Sequence, residues 1–410
     1  MAFTVICLER VLKKYKGTVK WRDLLKFDME EMYMNILVIG NGFDLAHGLP
    51  TTYKNFLDYA HIFKSYKEEE NKVAYPFSDK YKNYKSYILD LFETSLTDEK
   101  KGRIFNELAE LIEDNKWLSY FWEINEDGGW IDFEKEISRV IQALDSARKD
   151  RNSQLEKNIE ASKIEFKKCD EIIIQNVMGK SKAVDLKNIE EIKENLIEDL
   201  NRLIRCLEIY LCDYVGKIEI KVKLPDIIDQ SIDHVLSFNY TNTFEKIYGL
   251  GKKNIKYDYI HGKIKVDSNI EDSNLILGID EYLENEYEQR KDNEFIQFKK
   301  FYQRIYKKTG CEYTNWIDSA AIHTPSISSS ALRNNIYILG HSLDITDGDI
   351  LSELIMMENT KTTIFYHNKK ALESQICNLV KIIGEKKLIE KTNGKNADIV
   401  FIQQRDPLEF

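Results

Sequence analysis

Residues 36–50 read Ile-Leu-Val-Ile-Gly-Asn-Gly-Phe-Asp-Leu-Ala-His-Gly-Leu-Pro, a short apolar run followed by a glycine-rich turn. The apolar run predicts a buried strand, because a strand covered on both faces carries hydrophobic side chains without alternation. Gly40 and Gly42 would let the backbone approach a ligand closely and adopt positive φ at little steric cost. Pro50 is expected near the start of a helix. The pattern therefore predicts a strand, a phosphate-facing loop and a helix.

The region after Pro225 alternates apolar, strand-like segments with helical ones. Strands are predicted at 235–238, 257–260, 336–339, 363–366 and 399–402, and helices at about 241–248, 347–357 and 368–384. Strands that alternate with helices in this way indicate a parallel sheet covered on both faces. We therefore predict an α/β fold built on a Rossmann-like parallel sheet. Its ligand is expected at the carboxyl ends of the strands.

The segment between the first strand and the later ones predicts a large, mostly helical insertion. Apolar residues recur every three or four positions in 133–144 and again in 189–211, so two long helices are expected there, with an antiparallel hairpin in the insertion. The predicted organisation is an N-terminal extension (1–33), the first part of the α/β core (34–62), the helical insertion (63–230) and the remainder of the core (231–410). The extension is expected to be an appended helix or the product of an upstream start codon.

Composition excludes several classes of function. The chain has 410 residues and a formal net charge of -10, from 59 basic and 69 acidic residues. This sign argues against broad nucleic-acid binding, which relies on a basic surface. No apolar run reaches the roughly 18 residues needed to cross a bilayer, and no secretory signal is evident. We expect a cytoplasmic protein without a membrane partner.

Polar residues follow four of the predicted strands. Taken one at a time, each has an ordinary structural explanation, such as a tight turn, a helix cap or a hydrogen-bonded core histidine. Because the carboxyl ends of parallel strands meet along one edge of the sheet, these residues are candidates to line one cleft. They are Gly40, Asn41, Gly42 and Asp44 after the first strand, Asn239 after the second, His261 after the third, and Gly340 and Ser342 after the fourth.

An acidic trio also follows the fourth of these strands. Asp344, Asp347 and Asp349 could bind a metal, but the same spacing is common where helices begin and lacks the EF-hand pattern, so no metal is expected. The sequence contains no GxxxxGK[ST] loop, no GxSxG elbow and no HExxH helix. These absences disfavour a P-loop NTPase, a serine hydrolase and a zinc protease.

Residues 295–308 predict a helix with an aromatic face and a basic face. We expect the aromatic face to pack in the core or in an interface, and the basic face to be solvated. The aromatic residues are Phe295, Phe298, Phe301, Tyr302 and Tyr306, and the basic ones are Lys299, Lys300, Arg304, Lys307 and Lys308.

Several separated motifs resemble the AbiH family of bacterial abortive-infection proteins. The motifs are Ile-Gly-Asn-Gly-Phe-Asp-Leu-Ala-His-Gly-Leu-Pro-Thr-Thr-Tyr (39–53), Trp-Ile-Asp-Phe-Glu (130–134), Ser-Phe-Asn-Tyr-Thr (237–241), Ile-His-Gly (260–262) and Leu-Gly-His-Ser-Leu (339–343). The resemblance runs from about residue 34 to the C-terminus. It implies a role in anti-phage defence.

A deeper resemblance is to the sirtuin-like NAD-binding fold. Gly40, Gly42, Gly48 and Pro50 have the spacing of the sirtuin loop, Asn239 and His261 match its strand-end Asn and its His-Gly histidine, and Gly340 with Ser342 matches a Gly-x-Ser loop. Asn41, Asp44 and the run 51–53 depart from the sirtuin sequence, and the paired C-x-x-C zinc module is absent. These departures argue against protein deacylation. In them the chain resembles the sirtuin-like effector domains of phage defence, which cleave NAD.

The resemblance implies hydrolysis of NAD to nicotinamide and ADP-ribose, with NAD as the substrate. Asn239 would hold a ribose hydroxyl or the attacking water, and His261 would act as general base or orient the ribose. The nucleotide-binding residues would be Gly40, Asn41, Gly42, Asp44, Gly340 and Ser342.

Two alternatives remain open: a non-catalytic nucleotide-binding sensor of infection, and a metal-dependent nuclease that uses the acidic trio. The expected partners are NAD or a related nucleotide, a phage-derived or host protein that triggers the protein through its helical insertion, and further copies of the chain in a homo-oligomer.

Overall fold

The computed structural model describes residues 33–68, 82–125, 129, 131–160, 163–179, 188–251, 254–266, 268–283, 292–322, 333–394 and 397–409. Nearly all of the predicted N-terminal extension, and Trp130 of the mid-chain motif, lie outside these residues. In chain order the strands are β1 (Asn35–Ile39), β2 (Val222–Lys223), β3 (His234–Ser237), β4 (Lys256–Tyr259), β5 (Asn334–Leu339), β6 (Thr360–Tyr366), β7 (Ile399–Gln403) and β8 (Leu408–Glu409).

Most of the remaining described residues are helical. In chain order the helices are α1 (Asn41–Ala46), α2 (Tyr53–Glu68), α3 (Lys82–Ser95), α4 (Glu99–Ile112), α5 (Lys116–Ile124), α6 (Phe133–Glu156), α7 (Lys168–Met178), α8 (Ile189–Ile209), α9 (Pro225–Ile228), α10 (Thr243–Tyr248), α11 (Lys300–Lys307), α12 (Glu312–Ile322), α13 (Gly348–Ile355), α14 (Lys369–Ile383) and α15 (Glu385–Thr392). None of these helices is long and apolar enough to cross a membrane.

Six strands form one parallel sheet in the order β4-β3-β1-β5-β6-β7, while β2 and β8 pair in a separate two-stranded ribbon. Numbered without β2, this is the 3-2-1-4-5-6 order of a doubly wound Rossmann sheet, so the predicted α/β fold is confirmed. The strand order reverses between β1 and β5, where Ile39 lies opposite Leu339. The carboxyl ends of β1 and β5 therefore lie along the edge of the sheet at which such folds bind their ligands.

Strand β1 is buried because alternate side chains enter two different cores. Ile36 and Val38 pack into the core that contains α13 and α14, whereas Leu37 and Ile39 pack into the core that contains α10. Successive side chains of a strand point to opposite faces, so a strand covered on both sides must be apolar throughout. The apolar run at residues 36–39 is continuous because both faces of β1 are covered.

The helices α2 to α8 form a third hydrophobic core beside the sheet, as the prediction of a helical insertion required. Phe133 lies at its centre, stacked on Tyr53 and on Phe121 at ring-centroid distances of 4.2 and 4.1 Å. The Asp132 carboxylate caps α6 by accepting a hydrogen bond from the Lys135 amide. Helix α6 packs against α7, whereas α8 packs against α4 and α5.

Helix α11 carries charged side chains inward and apolar side chains outward, so the prediction of a solvated basic face is wrong. Lys299 and Lys300 are only 3% and 2% exposed, whereas Ile305 and Tyr306 are 71% and 74% exposed. The inversion arises because carboxylates from distant segments pair with the two lysines. Such pairing offsets the free energy that burying a charge requires.

Candidate functional site

The glycine turn after β1 packs directly against the loop after β5. The Gly42 amide donates a hydrogen bond to the Gly340 carbonyl at 2.8 Å, so this amide is engaged within the protein. A Cβ atom on Gly40 or Gly42 would lie 2.8 Å from the backbone of Gly340 or His341, and Gly340 itself has a φ of +71°. Gly40 has a φ of −122°. Gly40 and Gly42 therefore provide room for a second loop, and only Gly340 needs the left-handed conformation.

Asn239 joins the loop after β3 to the same turn. Its side-chain amide donates a hydrogen bond to the Gly40 carbonyl at 2.9 Å, and the residue is 5% exposed. The structure thus gathers Gly40, Gly42, Asn239 and Gly340 where the strand order reverses. In this arrangement Asn239 fixes the glycine turn through its amide hydrogen atoms.

Asp44 is a buried carboxylate in the first turn of α1. Thr241 donates its hydroxyl hydrogen to Asp44 Oδ2 at 2.6 Å, and Oδ1 has no hydrogen-bond partner among the described residues. Burial raises the pKa of Asp44 to about 6, although the hydrogen bond from Thr241 opposes the shift. The carboxyl group is consequently in its proton-exchanging range near neutral pH.

The remaining predicted ligand-binding residues lie on the surface. Asn41 Oδ1 accepts a hydrogen bond from the Thr51 hydroxyl at 2.6 Å, and Asn41 is exposed. Ser342 is also exposed, and its carbonyl accepts a hydrogen bond from the Asn378 side chain. Both side chains lie at the rim of the glycine turn.

Asp347 is the centre of a buried charged cluster at the same edge of the sheet. His261 Nε2 lies 3.4 Å from Asp347 Oδ1, and His341 Nε2 lies 3.4 Å from Oδ2. Lys300 Nζ lies 3.6 Å from Oδ1. All four side chains are at most 10% exposed. We call these residues, together with Glu134 and Asp280, the Asp347 cluster.

The hydrogen bonds of His341 define which of its ring nitrogen atoms carries a proton. The Leu343 amide donates to His341 Nδ1 at 2.9 Å, so Nδ1 supplies the lone pair and Nε2 carries the hydrogen atom that faces Asp347. Phe238 packs edge to face against the rings of both His341 and His261, at centroid distances of 4.4 and 5.6 Å. These contacts hold both imidazoles against the carboxylate.

Lys300 connects Asp347 to two further carboxylates. Its ammonium lies 2.7 Å from Glu134 Oε2 and 4.0 Å from Asp280 Oδ1. Burial would lower the pKa of Lys300, but Glu134, Asp347 and Asp280 outweigh it and raise this pKa well above its usual range. Burial raises the pKa of Asp280 to about 7, against the opposing effect of Lys300. The Asp280 side chain is 38% exposed, which places it at the outer side of the cluster.

The sequence predicts a catalytic role for His261 but gives no indication of one for Glu134, Lys300 or Asp280. Glu134 is the last residue of the mid-chain motif, but the sequence does not show that Lys300 is its partner. Lys300 stood among five basic residues that gave no sign of burial. The cluster draws on segments more than 200 residues apart, and only the fold brings them together.

The acidic trio does not converge on one point. Asp344 accepts a hydrogen bond from the Thr346 amide and lies 3.6 Å from Lys135, whereas Asp349 is exposed and Asp347 faces two histidines and a lysine. In the part of the chain that the structure describes, no group of three or more His, Cys, Asp or Glu side chains is arranged to hold a metal ion.

A cavity of about 290 Å³ lies beside the threonine residues that contact Asp44. Thr241 and Thr243, which are hydrogen-bonded to each other and connect to Asp44, form part of its wall together with Leu49 and Lys246. Most of its other lining residues are aliphatic. The cavity therefore adjoins the Asp44 side of the turn.

The sequence model of the family described as bacteriophage abortive infection AbiH matches residues 36–367. The chain belongs to the AbiH family. It is accordingly a bacterial abortive-infection defence protein, as the resemblance of its motifs implied. The region matched to AbiH contains the glycine turn and every residue of the Asp347 cluster. A search of curated proteins found no match to the chain.

Proposed function

We propose that this AbiH protein hydrolyses NAD to nicotinamide and ADP-ribose at the Asp347 cluster, and that its α/β core is sirtuin-like. One observation carries the proposal: His261 lies 3.4 Å from the buried carboxylate of Asp347, at the edge where the strand order of the sheet reverses. Nucleotides bind to doubly wound sheets at this edge. A carboxylate beside an imidazole is a common arrangement for a general base.

The roles follow from the chemistry of the nicotinamide–ribose bond. When this bond breaks, nicotinamide leaves as a neutral molecule and positive charge develops on the ribose. Water then adds to the ribose carbon and must lose a proton. The proposal places the hydrogen atom of His261 on Nε2, on the side of Asp347, so that the lone pair of Nδ1 accepts that proton. Asp347 is the positioning residue, and the balance is NAD plus water giving nicotinamide, ADP-ribose and a proton.

Asp280 would stabilise the positive charge that develops on the ribose. Its side chain is the most exposed of the three carboxylates that surround Lys300, at 38% against 15% for Glu134 and 10% for Asp347. A substrate can therefore reach Asp280 while Lys300 stays enclosed. An ionised carboxylate beside an oxocarbenium-like state lowers its free energy.

Asn239 takes a different role in this proposal from the one that the resemblance implied. Because its amide is hydrogen-bonded to the Gly40 carbonyl, Asn239 would shape the nucleotide site by holding the glycine turn in place. The exposed rim residues Asn41 and Ser342 would contact the nucleotide directly.

The test is nicotinamide release from NAD by the purified protein, and loss of cellular NAD during phage infection. His261→Ala and Asp347→Asn should abolish both. His234→Ala is a matched control, because His234 is also buried beside an aspartate but lies at the amino end of β3. NAD that stays intact during infection would contradict the proposal. Binding of NAD without turnover, unchanged in His261→Ala, would instead support the sensor alternative.

A further inference from the structure

The outer face of α11 presents an apolar ridge to solvent. Phe301, Ile305 and Tyr306 are 46%, 71% and 74% exposed, and we call these three residues the α11 ridge. Tyr302 stacks on Tyr306 with their ring centroids 5.9 Å apart, which stiffens one end of the ridge. Clustered exposed apolar side chains of this size mark interaction surfaces more often than isolated ones do.

Contacts on the inner face hold α11 in this orientation. Lys300 pairs with Glu134, and the Gln303 side chain accepts from the Leu277 amide and donates to the Leu277 carbonyl at 3.1 Å each. The Lys307 ammonium donates to the Leu275 carbonyl at 2.6 Å. Rotating the helix to bury the ridge would break all of these contacts. The apolar face is therefore built to point outward.

A groove of about 610 Å³ lies between α12 and α13. Its apolar wall includes Ile317, Ala320 and Met356, each partly exposed. We call this the α12–α13 groove. Its polar rim consists of three exposed carboxylates: Asp318, Glu353 and Glu358.

We propose that the α11 ridge of one copy of this chain docks into the α12–α13 groove of a second copy. The ridge is apolar and is followed by the exposed Lys308, whereas the groove is apolar and rimmed by carboxylates, so the two surfaces are complementary in polarity and charge. Copies with a net charge of -10 repel one another, and a contact between a basic and an acidic element offsets part of this repulsion. The same chain carries both halves of the contact.

The two docking elements are also the elements that hold the Asp347 cluster. Helix α11 begins at Lys300, and α13 begins at Gly348, directly after Asp347. A partner that contacts both helices would hold the two sides of the 3.6 Å contact between Lys300 and Asp347 together. Assembly would then favour the ordered cluster, a consequence that rests on the proposed function, whereas the docking itself does not.

Sedimentation velocity of the full chain over a range of concentrations tests the docking. Wild-type protein should form a dimer or a larger assembly, and Ile305→Asp should weaken association about tenfold or more, since a charge would enter an apolar contact. Ile389→Asp is the matched control, because Ile389 is another helical isoleucine that is 52% exposed. Thermal melts establish that the variants fold.

A mixing experiment separates ridge-to-groove docking from other arrangements. Ala320→Arg should block the groove, so that this variant and Ile305→Asp each associate more weakly alone than the wild-type protein does. An equal mixture retains one intact ridge and one intact groove and should form a heterodimer. A wild-type protein that stays monomeric overturns the proposal, as does a mixture that associates no better than either variant alone. An Ala320→Arg variant that associates as the wild type does would also overturn it and would indicate a ridge-to-ridge contact. Since the readout is mass, a failure of NAD hydrolysis leaves the result unaffected.

Discussion

The Lys300 ammonium lies 3.6 Å from the Asp347 carboxylate, and their side chains are 2% and 10% exposed. Burial alone would raise the pKa of Asp347, but Lys300 and the adjacent imidazoles of His261 and His341 outweigh it and hold this pKa well below its usual range. The contact joins the start of α11 to the loop after β5, and Glu134 adds the start of α6. One buried ammonium thus ties three distant segments of the chain together.

Replacing Lys300 with methionine should strongly destabilise the fold. Methionine preserves much of the volume but leaves Glu134 and Asp347 as buried carboxylates without their cation, and breaking a buried ion pair in this way costs about 3–5 kcal/mol. Urea denaturation at neutral pH measures the change. Lys308→Met is the control, since Lys308 is exposed and its loss should change the free energy of unfolding by about 0.5 kcal/mol or less. Equal effects of the two substitutions would contradict the conclusion that Lys300 compensates the buried charges of Glu134 and Asp347.

Asp44→Asn should stabilise the protein at neutral pH and above. The pKa of Asp44 is raised from 3.8 to about 6, so the folded state binds the proton more tightly than the unfolded state does. The wild-type protein therefore loses stability as pH rises through this window, whereas the variant does not. The difference in free energy of unfolding should grow from near zero below pH ~4 to about 3 kcal/mol above pH ~6.

The comparison needs unfolding curves of both proteins at several pH values. The asparagine side chain of the Asp44→Asn variant keeps an oxygen atom that can accept the Thr241 hydroxyl, so the hydrogen bond to Asp44 Oδ2 has a replacement. Asp349→Asn serves as the control because Asp349 is exposed. A constant difference between wild type and Asp44→Asn across the pH range would show that the carboxyl group titrates normally.

Gly340→Ala should prevent the two loops at the sheet edge from packing. The new Cβ atom would lie 2.1 Å from the Phe43 amide nitrogen, at a residue whose φ is +71°. We expect a loss of about 3 kcal/mol or more, since a backbone clash adds to the strain. Gly48→Ala is the matched control: Gly48 has a φ of +77° but open space around it, so about 1–2 kcal/mol is expected. Thermal denaturation of both variants distinguishes clash from strain.

The parallel sheet and the convergence of its strand ends could be predicted from the sequence. Apolar runs and glycine turns are local signals, and the rule that strand ends of a parallel sheet converge brought His261 and Asn239 to one edge. The sequence predicts that these glycines face a phosphate, but it does not show that the loop of Gly340 packs against them. A glycine indicates that another group packs closely against the backbone, but it does not show whether that group is a ligand or a second loop.

The charged cluster could not be predicted, because its signal is not local. Lys300 has neighbours of the same charge, and its burial depends on Glu134 and Asp347, which lie 166 and 47 positions away along the chain. The apolar residues of α11 gave the usual amphipathic pattern, which predicts the periodicity of a helix but not which face a neighbour covers. In this protein the basic face is the buried one, because Glu134, Asp347 and Glu281 pair with its lysines.

The ring of His341 should carry its hydrogen atom on Nε2. The Leu343 amide donates to Nδ1, so a hydrogen on Nδ1 would oppose it directly. Two-bond nitrogen–hydrogen correlation spectra of protein labelled with ¹⁵N-histidine identify the tautomer, with His341→Gln for assignment. A resonance pattern with the hydrogen on Nδ1 would contradict the hydrogen bond and would remove the donor that faces Asp347.

NAD hydrolysis should rise with pH through about 7 and should depend on Asp280. The pKa of Asp280 is about 7, because burial and the nearby charges of Glu134, Asp347 and Asp349 raise it while Lys300 lowers it. The proposed role needs the ionised carboxylate, so the rate should fall as pH drops below this value. Asp280→Asn should lower kcat by about 10²-fold or more and flatten this limb of the pH profile.

Glu281→Gln is the matched control for Asp280→Asn. Glu281 is the next residue and pairs with Lys299 at 2.7 Å, outside the contacts of Lys300. Its loss should leave the pH profile unchanged even where it lowers stability. If the rate of Asp280→Asn still fell as the pH dropped below ~7, another group would be responsible for this pH dependence. Asp280 would then be removed from the proposed mechanism. Since Asp280 is the most exposed carboxylate around Lys300, this outcome would also require a different route for substrate into the Asp347 cluster.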